Sequence, residues 1–277
     1  MKRTKIIVLA TGLSMIAMLL VGIFLIPSPS GGESINDAMR DSVLHETNKI
    51  NLFGLEVNPA VISAFTVTGV IFVFALAVRI FVIPRFTLVP RGFQLVLETA
   101  VGTFDGMAKT SSPGRNKFLG AYIFTAAAYI FIGTLFELLG LQAVTTLGRS
   151  VSLPAPLADI NGAITMGCVS YAVILGGGIA TNGLKGMGKT LKDFSLPVSM
   201  SFRLFGALLS GALVTELVYY YTALSFVLPV LVGVMFTLLH ALIQAYVLTM
   251  LTSLFYGEVT EKKPLTAKKT IMAKRGK

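Results

Sequence analysis

Ser195-Leu-Pro-Val-Ser-Met-Ser-Phe-Arg203-Leu-Phe-Gly-Ala-Leu-Leu-Ser-Gly-Ala-Leu-Val-Thr-Glu216 places one arginine near the middle of a long apolar stretch. A guanidinium cannot shed its proton, and insertion scales put its cost at a bilayer centre at about 3 kcal/mol. Elsewhere the chain keeps its charges almost wholly out of such stretches. Membrane proteins that retain a charge at that depth use it to move ions or to bind substrates. Arg203 therefore reads as a buried, functional charge.

Composition agrees with a membrane setting. The 277 residues are 54% hydrophobic and 13% charged, with a mean hydropathy of +0.79. Soluble domains carry about 25% charged residues, so a polytopic, all-α membrane protein is expected. The net charge of +10 does not indicate nucleic acid, because the basic residues fall in short clusters between apolar runs. Cys168 is the one cysteine and lies in an apolar run, which excludes a disulfide framework. Tryptophan is absent, leaving Tyr and Phe for any interfacial belt.

The apolar runs set the organisation. Ile6–Ile26 follows Lys2, Arg3 and Lys5 and, at about 21 residues, reads either as a retained helix or as a signal peptide with Ser28 and Ser30 near a cleavage site. Residues 1–26 are thus an N-terminal apolar element, and 27–58 a polar external segment with an amphipathic piece near Ile35–Leu52. Residues 59–256 form the membrane-embedded domain, and 257–277 a basic, disordered cytoplasmic tail. Within the domain, Pro59–Pro84, Phe118–Gly140, Ala158–Thr181, Phe194–Tyr221 and Phe226–Tyr256 are five expected membrane helices, the last two forming a long hairpin. Val151–Pro156 is an external turn region. Between the first two spans, Phe93, Val96, Leu97, Ala100, Val101 and Phe104 recur at helical spacing opposite Gln94, Glu98 and Asp105. That pattern predicts an amphipathic helix on the inner surface or against a partner.

Residues 1–5, 85–117, 184–193 and 257–277 hold 18 of the 23 Lys and Arg, which places them inside by the positive-inside rule. Gly183-Leu-Lys-Gly-Met-Gly188-Lys189-Thr190 matches a Walker A pattern at every fixed position. A P-loop requires a buried strand before it and a parallel sheet around it, whereas here a membrane span precedes it. The segment reads as a glycine- and lysine-rich loop, and no nucleotide is expected on this chain.

The polar residues of the last two helices form a pattern. His240 and Gln244 lie four apart and share a helical face. Ser199 lies one turn inward of Arg203, and Glu216 about 20 Å outward and rotated by roughly 140°. Gly206, Ala207, Ser210 and Gly211 form small-xxx-small pairs that let a helix approach closely. Glu137 stands near the outer end of one span, and Asp159 and Asn161 near the outer start of the next. Acids thus line the outer half, whereas Ser199, Ser195 and Asp193 offer an inner approach. Two polar paths meeting at one fixed positive charge suit ion passage interrupted at mid-membrane.

The arginine segment, followed by His240…Gln244-Ala-Tyr-Val-Leu-Thr-Met-Leu, resembles subunit a of F-type rotary ATP synthases. Leu157-Ala-Asp159-Ile-Asn161, Leu135-Phe-Glu137-Leu-Leu-Gly and Val89-Pro-Arg-Gly-Phe-Gln-Leu-Val-Leu-Glu98 resemble that family's preceding helices, so the likeness covers about residues 60–256. It implies the non-catalytic, proton-translocating stator subunit of the Fo sector. Its partners would be a rotor ring of c subunits, subunit b of the stator stalk, the remaining synthase subunits and the bilayer, with no cofactor. It further implies that Arg203 faces the passing c-subunit carboxylate, that Gln244 orients it, and that two offset half-channels meet there. Glu216, His240, Glu137, Asp159, Asn161 and Ser199 are the other expected ion-path residues, in a bacterial inner membrane with the C-terminus cytoplasmic. Three positions depart from the family pattern: an Asn usual four residues after the arginine is Ala207, and positions often ionisable are Ala212 and Thr237. Glu216 and His240 each sit about one turn from those last two. A secondary transporter binding an anionic substrate at Arg203 is the alternative, but it would show internal repeats and broken helices in both halves. An assembly scaffold without transport is the third reading.

Overall fold

A computed structural model of the chain describes residues 14, 21, 50–52, 55–114, 116–144, 150–220 and 228–261. Two short antiparallel hairpins accompany seven α-helices among the described residues. In the first hairpin β1 (Ile50–Leu52) pairs with β2 (Leu55–Val57), Asn51 standing opposite Glu56. Helix α1 (Pro59–Ala77) starts where the sequence dictates. Asn58 accepts the Ala60 N–H at 2.9 Å, and Pro59, which has no N–H to satisfy, takes the first helical position. The helix then loosens into a π-turn (Val78–Val82) and tightens into a 3-10 turn (Ile83–Arg85). Pro84 is the cause, since its ring blocks a continuing α ladder.

Helix α2 (Phe93–Ser111) is the amphipathic segment, and α3 (Asn116–Leu138) the next apolar one. The second hairpin pairs β3 (Gln142–Val144) with β4 (Ser150–Ser152), so the expected turn region begins with a strand. Helices α4 (Ile160–Asn182), α5 (Leu184–Lys192), α6 (Ser195–Tyr220) and α7 (Leu228–Thr260) complete the chain. Four helical segments are long and apolar enough to cross a membrane: Pro59–Arg85, Asn116–Leu138, Ile160–Asn182 and Val230–Thr260. Helix α6 is also long enough at 26 residues, but its serines and Arg203 dilute its hydropathy. The chain is an all-α polytopic membrane protein.

The described residues form two compact units. The first draws on the described parts of Met1–Val70, Ile130–Gly162 and Arg203–Gln244. Gly133 faces neighbours at ordinary contact distance, and a Cβ there would lie 3.6 Å from the Pro156 ring and 3.9 Å from Val67. The second comprises Ile71–Tyr129, Ala163–Phe202 and the described part of Ala245–Lys277. Its helices meet through glycines. A Cβ on Gly167 would strike the Ser201 hydroxyl and the Pro197 carbonyl, one on Gly177 the Tyr256 ring, and one on Gly257 the Ser111 carbonyl. Between these contacts, Tyr122 and Ser170 hydroxyls join α3 to α4 at 2.8 Å, and Ser112 and Thr260 join α2 to α7 at 3.0 Å.

Two expectations are corrected. The lysine-rich loop after α4 is the helix α5, entered through Gly183 at φ +59°. Its glycines disfavour a helix intrinsically, but Gly186 lets it lie directly on the Gly178 carbonyl of α4. Tyr171 donates to the Thr190 carbonyl at 3.1 Å, and Lys189 donates to the Glu258 carbonyl at 2.7 Å. The Walker-like residues 184–190 are therefore helical and follow a helix, not a strand. Residues 257–260, expected in the tail, instead continue α7, and Asn182 Nδ2 donates to the Val259 carbonyl at 2.7 Å. Apart from residues 14 and 21, the N-terminal element 1–26 lies outside the described residues, as does most of the segment 27–58. Of its expected amphipathic piece, Ile50–Leu52 is the strand β1 and the rest lies outside the described residues.

Candidate functional site

Helix α6 turns one side inward and the other outward. Met200, Leu204 and Leu208 recur every four residues and are nearly fully buried, Leu204 at 1% exposure. Ser199, Phe202, Arg203, Gly206 and Ser210 lie on the opposite side and are exposed. Arg203 is thus not buried within this chain, contrary to the expectation from its apolar surroundings. The described ion pairs are Lys109–Asp105 and Lys189–Glu258, neither of which involves it. Next to it the helix surface is open: a Cβ on Gly206 would meet nothing within 4 Å. A cation at lipid depth is costly without a counter-charge, and Arg203 has none in an ion pair among the described residues.

Helix α7 supplies the second half of the constellation. His240 stacks at a tilt on Phe236, with ring centroids 5.8 Å apart, and packs over Gly211 of α6. A Cβ at Gly211 would approach the imidazole Nδ1 to 3.3 Å, so any larger residue there requires the His240 ring to give way slightly. This contact fixes the level of the two helices, which a short connection makes antiparallel. Four residues further along α7, Gln244 comes level with Ala207, about 6 Å along the axis from Arg203. Gln244 is 7% exposed, and its Oε1 is a buried side-chain oxygen without a hydrogen-bond partner among the described residues. A buried acceptor left empty is unfavourable, and the guanidinium carries five donors with which to fill it.

The other expected residues divide. Asp159 is fully engaged: Asn58 Nδ2 donates to its Oδ2 at 2.6 Å, and its Oδ1 accepts the Asn161 and Gly162 N–H groups at 2.8 and 3.4 Å. It is the N-cap of α4, tied to the N-cap of α1. Asn161 is exposed on the first turn of α4. Glu137 is half-buried near the end of α3, and its carbonyl accepts the Gly140 N–H at 3.2 Å. Ser199 stands one turn before Arg203 on the exposed side of α6. Glu216 lies on α6, but its side chain is outside the described residues. Sequence reasoning missed Asn58, and it marked Gly211 as a site of close helix approach without the His240 contact. The Asn-Pro start of α1 was a usable capping signal for the first, whereas only the three-dimensional structure reveals the second.

The capping geometry makes a discriminating prediction. Asp159→Asn keeps an acceptor for the helix but places an amide nitrogen against the Asn58 donor, so it is expected to lose the tether and some stability while leaving proton pumping of the assembled complex near wild type. Asp159→Ala removes the cap and is expected to lower stability by about 1 kcal/mol, read as a lower denaturation temperature of the purified complex. Lost pumping in a fully assembled Asp159→Asn complex would instead put the carboxylate on the ion path.

Together these features define a multi-pass, all-α membrane protein whose last two helices present a cation outside every ion pair among the described residues and a buried amide. The family model for the ATP synthase A chain matches residues 61–257, more than half of the chain, and the chain belongs to that family. It is a membrane subunit of the ATP synthase that serves ATP synthesis through ion transport.

Proposed function

We propose that this chain is the non-catalytic, proton-translocating stator subunit of the Fo sector, with its α6 face set against a rotating ring of c subunits. The observation that carries this is Arg203, exposed beside Gly206 on a helix whose opposite side is packed. A ring carboxylate passing this face is stabilised in its ionised form and releases its proton. Gln244 accepts from the guanidinium and holds it toward the ring. A proton approaching a permanently charged arginine finds no stable site, which blocks direct leakage between the two half-channels. The outer path runs by Glu216, His240, Glu137 and Asn161, with Asp159 holding its mouth, and Ser199 begins the inner path. Subunit b and the remaining synthase subunits complete the assembly, in a bacterial inner membrane with the C-terminus cytoplasmic.

Disulfide trapping tests the facing. Phe202 is exposed beside Arg203, so Phe202→Cys is expected to cross-link under oxidation to a cysteine placed next to the c-subunit carboxylate, and to stop rotation when it does. Absence of any cross-link, with Val61→Cys on α1 trapping instead, would overturn the proposed face.

A further inference from the structure

The connection between α1 and α2 carries a feature that ion translocation does not use. Leu88 is 103% exposed and Val89 65%, on a turn flanked by the exposed Arg85 and Arg91. Apolar side chains held this far out need a reason. The turn is also built, because the Gln94 side chain clamps it. Thr87 N–H donates to Gln94 Oε1 at 3.1 Å, and Gln94 Nε2 donates back to the Thr87 carbonyl at 2.8 Å. The amide orientation is fixed by a further donation from Nε2 to Glu98 Oε1 at 2.7 Å, since only the nitrogen end can donate to two acceptors. Thr87 Oγ1 closes the turn on the Val89 carbonyl at 2.9 Å.

We propose that the Thr87–Val89 turn is a preformed anchor that inserts Leu88 and Val89 at the headgroup–acyl boundary of one leaflet, with Arg85 and Arg91 on lipid phosphates and Gln94 as its positioning residue. Position argues for lipid. The apolar span preceding the turn ends at Arg85, so the turn lies at a membrane surface. Charge argues the same way, because Arg79, Arg85 and Arg91 occur with no acidic residue between positions 79 and 97. Two apolar tips between two cations match the layering of an interface, apolar below and phosphate above. The inference rests on the membrane span alone and stands apart from the proposed proton path.

Spin labelling tests it in the assembled complex. A nitroxide on Leu88→Cys, in a Cys168→Ser background and with the signal of the complex lacking the added cysteine subtracted, is examined in vesicles containing phosphatidylglycerol. The label is expected to collide with oxygen several-fold more, relative to a nickel chelate, than a label on the exposed turn residue Gly114→Cys. An oxygen-to-nickel ratio equal to that at Gly114 would overturn the anchor in favour of water. Shielding from both reagents would overturn it in favour of a protein partner. Gln94→Leu is expected to lower the ratio at position 88 in the assembled complex, and an unchanged ratio there would remove Gln94 from the positioning role.

Discussion

Arg203→Ala is expected to abolish ATP-driven acidification of inverted membrane vesicles, down to the rate without ATP, while the complex remains assembled. In the proposed mechanism the guanidinium, which stays ionised at bilayer depth, is what drives the passing ring carboxylate to give up its proton. Assembly is expected to survive because Arg203 is exposed on α6 and the packing side of the helix is Met200, Leu204 and Leu208. Arg203→Lys is expected to fail as well. A lysine is a compact charge on a flexible stem, loses its proton more readily in an apolar setting, and lacks the fork that reaches both a carboxylate and Gln244. Undiminished pumping in an assembled Arg203→Ala complex would remove the arginine from the mechanism.

The second large effect concerns assembly. Gly257→Val is expected to deplete the subunit from membranes. A Cβ there would fall well inside contact distance of the Ser111 carbonyl, and a main-chain oxygen cannot rotate aside as a side chain can. Overpacking of this kind costs about 1–3 kcal/mol, and here it falls where other bonds converge. Ser253 donates to the Ser111 hydroxyl at 2.8 Å, and Ser112 meets Thr260 at 3.0 Å. The natural control is Gly106→Val on α2, where a Cβ would meet nothing within 4 Å. Immunoblots of washed membranes should show the Gly257 variant strongly reduced and the Gly106 variant near wild type. Equal amounts of the two would mean that the end of α7 does not hold α2.

The membrane helices were legible because each apolar run is bounded by charges, prolines or glycines, and their ends moved by only a few residues. Helix α5 was not legible. Three glycines in Gly183–Gly188 read as loop, and its stability comes from a close approach to α4 that no local pattern announces. Arg203, His240 and Gln244 stood out because charge and amide are rare in apolar runs and spacing placed two of them on one face. The exposure of Arg203 was not legible, since hydrophobicity alone does not say which side of α6 faces its own chain. The position of Asp159 along the chain suggested an ion-path acid and said nothing of its capping role. Its pairing with Asn58, 101 residues away, is a tertiary fact.

That pairing has a consequence for biogenesis. Asn58 caps α1 and bonds to the residue that caps α4. At a synthesis rate of about 5–20 residues per second, Asp159 leaves the ribosome about 5–20 s after Asn58. Until then the entry of α1 lacks its distant tether. Completion of α4 is therefore the moment at which the first span is locked, and a chain halted before it would expose an unlatched helix to membrane quality control.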